Sequence, residues 1–330
     1  MDHKFSSNLQ PERAVVQARL GGMDWWKRRS RRKKAKQWFL ETGSAFLEEL
    51  VAGCNGKSNP IRMFSSDQIL RATDNFHHSC SISIGRDFNW YRGVIDDRVY
   101  AIKKCHTSAD EKRIYNDIVI SIRVSNHSNF LKVLGCCLEF PFPVLVHEYP
   151  DNGVLNNTNG GNGGKDGPLL PWKLRVKIAK ETAYAVTYLH KAFPRIIIHR
   201  DIMPWNIFLD NNWTAKLTGF SISISLPEGK SRAEDVIVGT YGPPFSSHGG
   251  YVKVHDYVKS IIEYGDMNEM MAEDMTDHQR SQMEVCLKLA LRCCEDTEDD
   301  RPTMVQVTKE LKQIETSLHA TGPSQTLQSD

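Results

Sequence analysis

Short stretches of alternating or continuous apolar residues dominate the chain between about residue 80 and residue 147. Four of them, each bounded by turn-forming residues, predict β-strands: NWYRGVI, RVYAIKKC, FLKVLGCCL and FPVLVHEY. A fifth stretch, EKRIYNDIVISIRV, places Ile114, Ile118 and Ile122 four residues apart, so it predicts a helix between the strands. This part of the chain is therefore expected to be β-rich with one helix.

The later part of the chain repeats apolar residues at helical spacing instead. LRVKIAKETAYAVTYLH predicts one helix, and the tail from Met283 to Ser317 is also expected to be helical. Upstream of the strands, Ser65 and Gln68 form the pattern of a capping box, which predicts that a helix begins there. Phe64 and Ile69 are placed to close a hydrophobic staple around that box.

A strand-rich first part and a helix-rich second part predict an α+β fold with two lobes. The expected parts are a basic and aromatic N-terminal segment with a helix (1–60), an N-lobe (64–149), a C-lobe (150–314) and a disordered tail (315–330). Residues 1–22 carry no clear pattern and are also expected to be disordered. The glycine-rich stretch NNTNGGNGGKDG predicts a flexible loop rather than a phosphate cradle.

Composition places the chain among ordinary globular proteins. Of its 330 residues, 40% are hydrophobic and 25% are charged, and the formal net charge of +2 does not indicate a nucleic-acid partner. No apolar run has the length of a membrane span, and no apolar signal-peptide stretch is present. The eight cysteines lack C-x-x-C spacing, and the adjacent pairs Cys136-Cys137 and Cys293-Cys294 lie in apolar stretches, which favours reduced, buried thiols in the cytoplasm.

Several motifs resemble those of protein kinases. His199-Arg200-Asp201, with Asn206 five residues after the aspartate, resembles the kinase catalytic loop, and VYAIKK resembles the strand that carries the kinase lysine, here Lys103. NHSNFLKVLGCCLE and LALRCCEDTEDDRPTM are similar to plant receptor-like kinases. The resemblance covers roughly Phe64 to Ile314 and implies a bilobal protein-kinase-like fold with a β-rich N-lobe and a helical C-lobe.

The resemblance also implies a role for each retained residue. Lys103 would neutralise the α- and β-phosphates of ATP, held by a carboxylate on the following helix. The matching position is Asp117, one methylene shorter than the family's Glu, so this ion pair is expected to be weak or absent. Asp201 would accept the proton of a substrate hydroxyl as catalytic base, and Asn206 would hold one magnesium ion. The alternative is that Lys103 and Asp201 are vestiges retained for structural reasons.

The magnesium-binding motif of the resemblance is degraded. Gly219-Phe220-Ser221 falls where kinases carry Asp-Phe-Gly, and glycine has no side chain with which to ligate a metal. Losing one pre-organised electrostatic contact costs about 10²- to 10³-fold in rate, and a metal ligand should cost at least as much. No metal site and no cofactor are therefore expected, and any binding of ATP and Mg should be weak.

The phosphate-binding loop is degraded as well. The three loop glycines of the family map to Ser83, Gly85 and Phe88, so only Gly85 remains. Glycine matters there because the backbone turns tightly against the phosphates. Trp90 replaces the small β-branched residue expected over the adenine, and Met203 stands in place of a lysine that contacts the transferred phosphate.

The end of the activation segment departs from the family too. VGTYGPPFSSHGGYVKVHDYVKS lacks the Pro-Glu motif that normally closes the segment. Asp256 matches the aspartate that begins a buried central helix, but the apolar residues of that helix do not follow. The C-lobe is therefore expected to be shortened.

The stretch NGKSNPIRMFSSDQILRATDNF resembles the HopZ-effector-triggered-immunity-deficient-related pseudokinases, which are plant receptor-like cytoplasmic kinases. This resemblance implies an adaptor or decoy in plant innate immunity. Such proteins bind the leucine-rich-repeat part of a coiled-coil nucleotide-binding immune receptor (NLR). They serve as bait for a bacterial effector, or they dock an effector-modified receptor-like cytoplasmic kinase.

Three features leave alternatives open. The aromatic residues of the N-terminal segment would anchor a partner or pack on the N-lobe. The basic run Lys27 to Lys36 would meet anionic lipid at the plasma membrane, act as a nuclear signal, or form a solvated helix face. The activation segment offers hydroxyls to a modifying effector or forms an ordinary polar loop. The aromatic residues are Trp25, Trp26, Trp38 and Phe39. The residues that carry the hydroxyls are Ser221, Ser223, Ser225, Ser231, Thr240 and Tyr241.

Two further functions compete with the adaptor. A weak or atypical serine/threonine protein kinase would use Lys103, Asp201 and Asn206 without the missing aspartate, and it would bind Mg-ATP. A non-functional relic of a duplicated gene would explain the apparent deletion near Asp256, and it would aggregate rather than melt cooperatively.

Overall fold

A computed structural model of the chain describes residues 30–41, 43–44, 61–85, 87–106, 110–155, 170–230, 245–247, 250–252, 275–295 and 297–317. Several sequence predictions fall outside these residues. They concern the disordered start of the chain, the tail beyond Ser317, the glycine-rich loop, part of the aromatic segment, the hydroxyls beyond 230 and the shortening near Asp256. Those predictions stay predictions. Residues 315–317, which the predicted disordered tail included, are helical.

The N-lobe is built on a six-stranded sheet, whose order is β1-β5-β6-β4-β3-β2. All neighbours are antiparallel except β1, which runs parallel to β5. The sheet contains the four strands predicted from the apolar pattern. The strands are β1 (Arg62–Met63), β2 (Ser81–Ile84), β3 (Phe88–Ile95), β4 (Arg98–Cys105), β5 (Val133–Cys137) and β6 (Val144–Glu148).

Three helices accompany this sheet: α1 (residues 30–41), α2 (Ser66–Ala72) and α3 (Glu111–Val124). The predicted capping box at the start of α2 is confirmed, since the Ser65 side chain accepts from the Gln68 N–H while Gln68 accepts from the Ser65 N–H. Phe64 and Ile69 are both buried in the same cluster, as a hydrophobic staple requires.

Helix α3 covers one face of the sheet and confirms the helix predicted from the isoleucine spacing. It begins at Asp110, whose side chain accepts from the Arg113 N–H at 3.0 Å. Ile114, Ile118 and Ile122 are buried in one cluster with residues of β5 and β6. The same helix presents Asp117 toward the strand that carries the conserved-motif lysine.

The C-lobe is largely helical and contains short strand pairs. Its α-helices within the described ranges are α4 (Trp172–Lys191), α5 (Asp277–Arg292) and α6 (Met304–Ser317). Strand β7 (Ile197–Ile198) pairs with β10 (Ile224–Ser225), β8 (Ile207–Leu209) with β9 (Ala215–Leu217), and β11 (Phe245–Ser247) with β12 (Gly250–Val252). The α+β class is confirmed, with a sheet-rich first lobe and helices in the second.

The C-terminal tail is two helices rather than one helical stretch. Helix α5 ends at its C-cap Cys293, and Pro302 disfavours helical backbone at the residue before it. Thr303 then opens α6, because its N–H donates to the Gln306 side chain at 2.7 Å. Periodicity alone did not reveal this break.

The two lobes share a hydrophobic core beneath the cleft. Ile120 and Val124 of α3 lie in one buried cluster with Leu189 of α4, Leu209 of β8 and Leu217 of β9. The catalytic-loop motif and the segment after β9 sit directly on this core, which fixes their backbones at the mouth of the cleft.

The cysteine and membrane expectations meet mixed outcomes. All seven cysteines in the described ranges are free thiols, and burial raises the pKa of Cys136 and Cys137 to about 12. Cys294 is exposed, so its predicted burial is wrong. Among the described residues, no helix is both long and apolar enough to cross a bilayer.

Candidate functional site

Lys103 and Asp117 form a buried ion pair between β4 and α3. The Lys103 Nζ contacts Asp117 Oδ2, and the two side chains are 3% and 0% exposed. The other carboxylate oxygen, Oδ1, accepts from the Phe220 N–H at 2.7 Å. The expectation that the shorter aspartate would hold the lysine poorly is therefore wrong, because α3 lies close enough for its side chain to reach.

Asn116, the neighbour of Asp117, ties α3 to the segment after β9. Its Nδ2 donates to the carbonyl oxygens of Phe220 and Ser223, each at 2.8 Å. Together with the bond from Phe220 N–H to Asp117, these contacts fix the Gly219-Phe220-Ser221 segment against α3. Sequence reasoning did not single out Asn116, and its position beside the ion-pair aspartate was the one available signal.

Two aromatic rings enclose the charge of Lys103. Its Nζ lies 4.2 Å from the ring centroid of Phe88 and 5.1 Å from that of Trp90. Both distances fall within the range of cation–π attraction. Phe88 and Trp90 are 8% and 6% exposed. The cation that would face nucleotide phosphates in an active kinase therefore contacts one carboxylate and two rings of its own chain.

Trp90 also reaches across the cleft to the C-lobe. Its ring centroid is 4.7 Å from that of Phe208 on β8 and 5.0 Å from that of His147 on β6. Ala101 and Val154 belong to the same buried cluster. Trp90 thus joins the N-lobe sheet to the floor of the cleft through direct aromatic contact.

His147 is a buried polar group with one unpaired nitrogen. Its Nδ1 lies 3.3 Å from the Leu131 carbonyl oxygen, whereas Nε2 has no hydrogen-bond partner among the described residues. Burial, reinforced by the charge of Lys103, lowers the pKa of His147 to about 3. The residue is therefore neutral at physiological pH. Its signal in the sequence was a polar residue that directly follows the apolar run Val144 to Val146 within β6.

The catalytic-loop motif is held by hydrogen bonds within the chain. Asn206 Nδ2 donates to the backbone oxygen of Asp201 at 2.9 Å and to its Oδ2 at 2.8 Å. His199 lies 2.9 Å from the Thr218 carbonyl oxygen, and burial lowers its pKa to about 4. These contacts place Asp201 and Asn206 together at the mouth of the cleft.

Gly219 lies directly against Asn206. The glycine has a φ of +86°, and a Cβ atom built on it would come within 2.5 Å of both Cγ and Oδ1 of Asn206. The Asn206 amide thus occupies the space into which a side chain at 219 would project. No group of three or more His, Cys, Asp or Glu side chains suited to a metal occurs in the described ranges. Gly219 therefore offers no ligand at the position where the kinase motif carries its metal-binding aspartate.

The remaining predicted positions surround the same cleft. Gly85 closes the turn between β2 and β3, where its N–H donates to the Phe88 carbonyl oxygen at 2.9 Å. A Cβ at 85 would lie 2.9 Å from that oxygen, which accounts for the glycine. Met203 is half-buried in the catalytic loop, next to Ile202, which is 45% exposed. The structure thus brings Lys103, Asp117 and Phe88 into contact in the N-lobe, and Asp201, Asn206 and Gly219 into contact in the C-lobe.

A second concave surface lies on the outer side of the N-lobe, away from the cleft. It is a cavity of about 940 Å³ between α1 and α2, and its lining includes Arg31, Arg32, Lys36 and Arg71. On α1, Phe39 and Leu40 are 45% and 62% exposed, while Trp38 is half-buried. Trp25 and Trp26 lie outside the described residues.

Comparison with known proteins identifies the family of the chain. A family model described as protein kinase domain matches residues 91–245. Serine/threonine-protein kinase ZRK1 from Arabidopsis thaliana is 49% identical, over 88% of this chain and 95% of its own. Non-functional pseudokinase ZRK2 from the same plant is 46% identical, over 90% and 95% of the two chains. The chain belongs to the ZRK/ZED1 family.

Non-functional pseudokinase ZED1, also from Arabidopsis thaliana, is 40% identical over 86% of this chain and 98% of its own. The resemblance to plant pseudokinases of this family is thereby confirmed. The names of these relatives include both kinases and non-functional pseudokinases. Family membership therefore does not decide whether this ZRK/ZED1 protein is catalytically active, and that question depends on the residues of its own cleft.

Proposed function

We propose that this protein is a catalytically impaired pseudokinase that acts as an adaptor or decoy for a plant coiled-coil NLR immune receptor. Its other partner would be a bacterial effector or an effector-modified receptor-like cytoplasmic kinase, and it would work in the cytoplasm or at the plasma membrane. The proposal is supported by the family and by the relatives named non-functional pseudokinases.

The observation that carries the proposal is the contact between Asn206 and Gly219. Phosphoryl transfer depends on metal ions that bridge the phosphates, because the protein itself does little covalent chemistry. Here the position of the metal-binding aspartate is a glycine, and the Asn206 amide fills the adjacent space and donates to Asp201. The chain therefore lacks the charge arrangement that the reaction needs.

Surfaces outside the cleft are available for partners. Helix α1 exposes the apolar side chains of Phe39 and Leu40, and it also exposes Arg31 and Arg32. Aromatic and arginine side chains contribute more to protein–protein affinity than the total area of an interface does. A helix that exposes both kinds of side chain fits a binding surface. Arg31 and Arg32 line the cavity together with Asp67, Asp74 and Glu139, and neither arginine forms an ion pair with a described residue.

The adaptor proposal is tested by co-purification with candidate coiled-coil NLR receptors. We expect the full chain to retain a receptor that is lost when both Phe39 and Leu40 are changed to alanine. Val285→Ala is the matched control, because Val285 is 46% exposed on α5 of the other lobe. Asp201→Asn should associate like the wild type. Equal retention by all four proteins would remove α1 from the proposal, and failure of every candidate receptor to bind the wild type would contradict the adaptor function itself.

A weak protein kinase is the second candidate, favoured by the intact ion pair between Lys103 and Asp117. Active kinases require such a pair. If purified protein phosphorylates itself or a general substrate with Mg-ATP, and Asp201→Asn abolishes the incorporation, the protein is an enzyme. Incorporation that persists in Asp201→Asn would identify a contaminating kinase instead.

A further inference from the structure

The interlobe cleft is bridged by a tryptophan that has taken the place of a small residue. Trp90 lies on β3 in the N-lobe, and its ring meets Phe208 of the C-lobe with 4.7 Å between centroids. That separation is at the short end of the range for directly contacting aromatic rings. Trp90 is 6% exposed and Phe208 is fully buried, so the contact is closed to solvent.

The spacing of these rings leaves no room for a planar ligand. An aromatic base stacked between two side chains needs about 3.5 Å on each of its faces, or about 7 Å in all. The observed 4.7 Å excludes it. Ala101, Leu131 and Val154 surround the indole and complete an apolar slot, which the indole fills in place of a ligand.

The part of the cleft beside Lys103 is filled in the same way. Phe88 packs its ring 4.2 Å from the Lys103 ammonium, and Asp117 of α3 pairs with the same ammonium. Lys103 is left 3% exposed. A phosphate would have to displace the ring before it could approach this cation.

His147 also packs against the slot. Its ring centroid lies 5.0 Å from that of Trp90, and the two residues are 1% and 6% exposed. The contact between these two rings is therefore closed to solvent as well.

We propose that Trp90 is a built-in occupant of the slot that takes a purine base in catalytic relatives of the fold. It holds the two lobes in contact without a ligand, so the shape of the protein does not depend on nucleotide. Replacing Trp90 with a small side chain creates a site for adenosine. This inference goes beyond the proposed function, because it describes how the lobes are held whichever partner binds.

The test measures binding of adenosine, without phosphates or metal, to the full chain by calorimetry and by thermal shift. We expect the Kd of Trp90→Val for adenosine to be at least about tenfold lower than that of the wild type. Trp205→Val is the matched control, because Trp205 is 39% exposed in the catalytic loop and outside the slot. It should behave like the wild type.

Two results would overturn the inference. One is that the wild type binds adenosine as tightly as Trp90→Val, and the other is that a cooperatively melting Trp90→Val shows no binding. If that variant does not fold, Trp90→Leu keeps more of the apolar contact and is judged by the same two criteria. If neither variant folds, amide hydrogen exchange of the wild type is measured with and without adenosine. Protection of β3 and β4 by adenosine contradicts the inference, and unchanged exchange supports it. Receptor co-purification is a separate readout, so failure here leaves the adaptor proposal standing.

Discussion

Restoring the missing aspartate, by Gly219→Asp, should destabilise this protein instead of activating it. The new Cβ would lie within 2.5 Å of the Asn206 amide, which must then move. Moving it breaks two hydrogen bonds to Asp201, each worth about 1 kcal/mol and more where the acceptor is charged. The φ of +86° adds about 1 kcal/mol for a residue other than glycine. The free energy of unfolding should therefore fall by about 3 kcal/mol.

The chain provides a matched control for the backbone part of this cost. Gly229 has a φ of +74°, but a Cβ built on it meets nothing within 4 Å. Gly229→Asp should therefore lose only the conformational share, about 1 kcal/mol. Urea unfolding followed by circular dichroism gives both values. The difference between the two variants isolates the contact with Asn206.

A double variant makes the reasoning refutable. If Asn206 is the obstacle, Asn206→Ala should remove the clash. The double variant Gly219→Asp/Asn206→Ala should then lose less free energy of unfolding than the two single variants lose together. Coupling between contacting residues is about 0.5–3 kcal/mol. Strict additivity, or a Gly219→Asp variant as stable as Gly229→Asp, would show that the asparagine does not fill the space at 219. Appearance of Mg-dependent autophosphorylation in Gly219→Asp would show that Asn206 makes room for the aspartate, and it would contradict the expectation that this change destabilises the protein without activating it.

Three further predictions concern the buried polar groups. Asp117→Asn should lower the free energy of unfolding, measured by urea titration, by about 3–5 kcal/mol, because it leaves the buried charge of Lys103 unpaired. Asp96→Asn is the control: it breaks the exposed ion pair with Arg62 and should change the free energy of unfolding by less than about 1 kcal/mol. Stability should fall as the pH drops below about 6.5, by up to about 1.4 kcal/mol per pH unit for each of His147 and His199. The reason is that burial lowers their folded pKa values to about 3 and about 4, so the unfolded chain takes up protons first. His147→Leu should raise stability at neutral pH and flatten this dependence; a steeper dependence would refute it. Asn116→Ala should cost about 1–3 kcal/mol and speed proteolysis near Phe220, since two carbonyl oxygens lose their donor; unchanged proteolysis would count against that role.

Secondary structure was largely predictable from the sequence because the apolar pattern is strong there. The isoleucines of α3 recur at one helical spacing, and the capping box at Ser65 marks the start of α2 with local chemistry. The break between α5 and α6 was missed, although Pro302 lies in it, because apolar residues continue on both sides. Local rules therefore located helices better than they located their ends.

The chemistry of the cleft was less predictable because it depends on distances across the fold. Sequence comparison identified the substitutions at Phe88, Trp90 and Gly219, but not what fills the resulting space. The reach of Asp117 depends on how closely α3 approaches β4. The contact between Trp90 and Phe208 joins residues more than a hundred positions apart, and no local pattern in the chain indicates it.

The ion pair of Lys103 and Asp117 is one that an active kinase requires, but its presence alone does not indicate catalysis in this protein. Lys103 lies in a buried environment of one carboxylate and two aromatic rings. Removing either charge of a buried pair leaves the other unpaired at a cost of several kcal/mol, whether or not the pair ever served a nucleotide. The fold itself is then sufficient to keep Lys103 and Asp117. Gly219, by contrast, leaves no buried charge unpaired, because the Asn206 amide lies against it and donates to Asp201. Position 219 is therefore more informative about catalysis than Lys103 and Asp117, because a change there does not leave a buried charge unpaired.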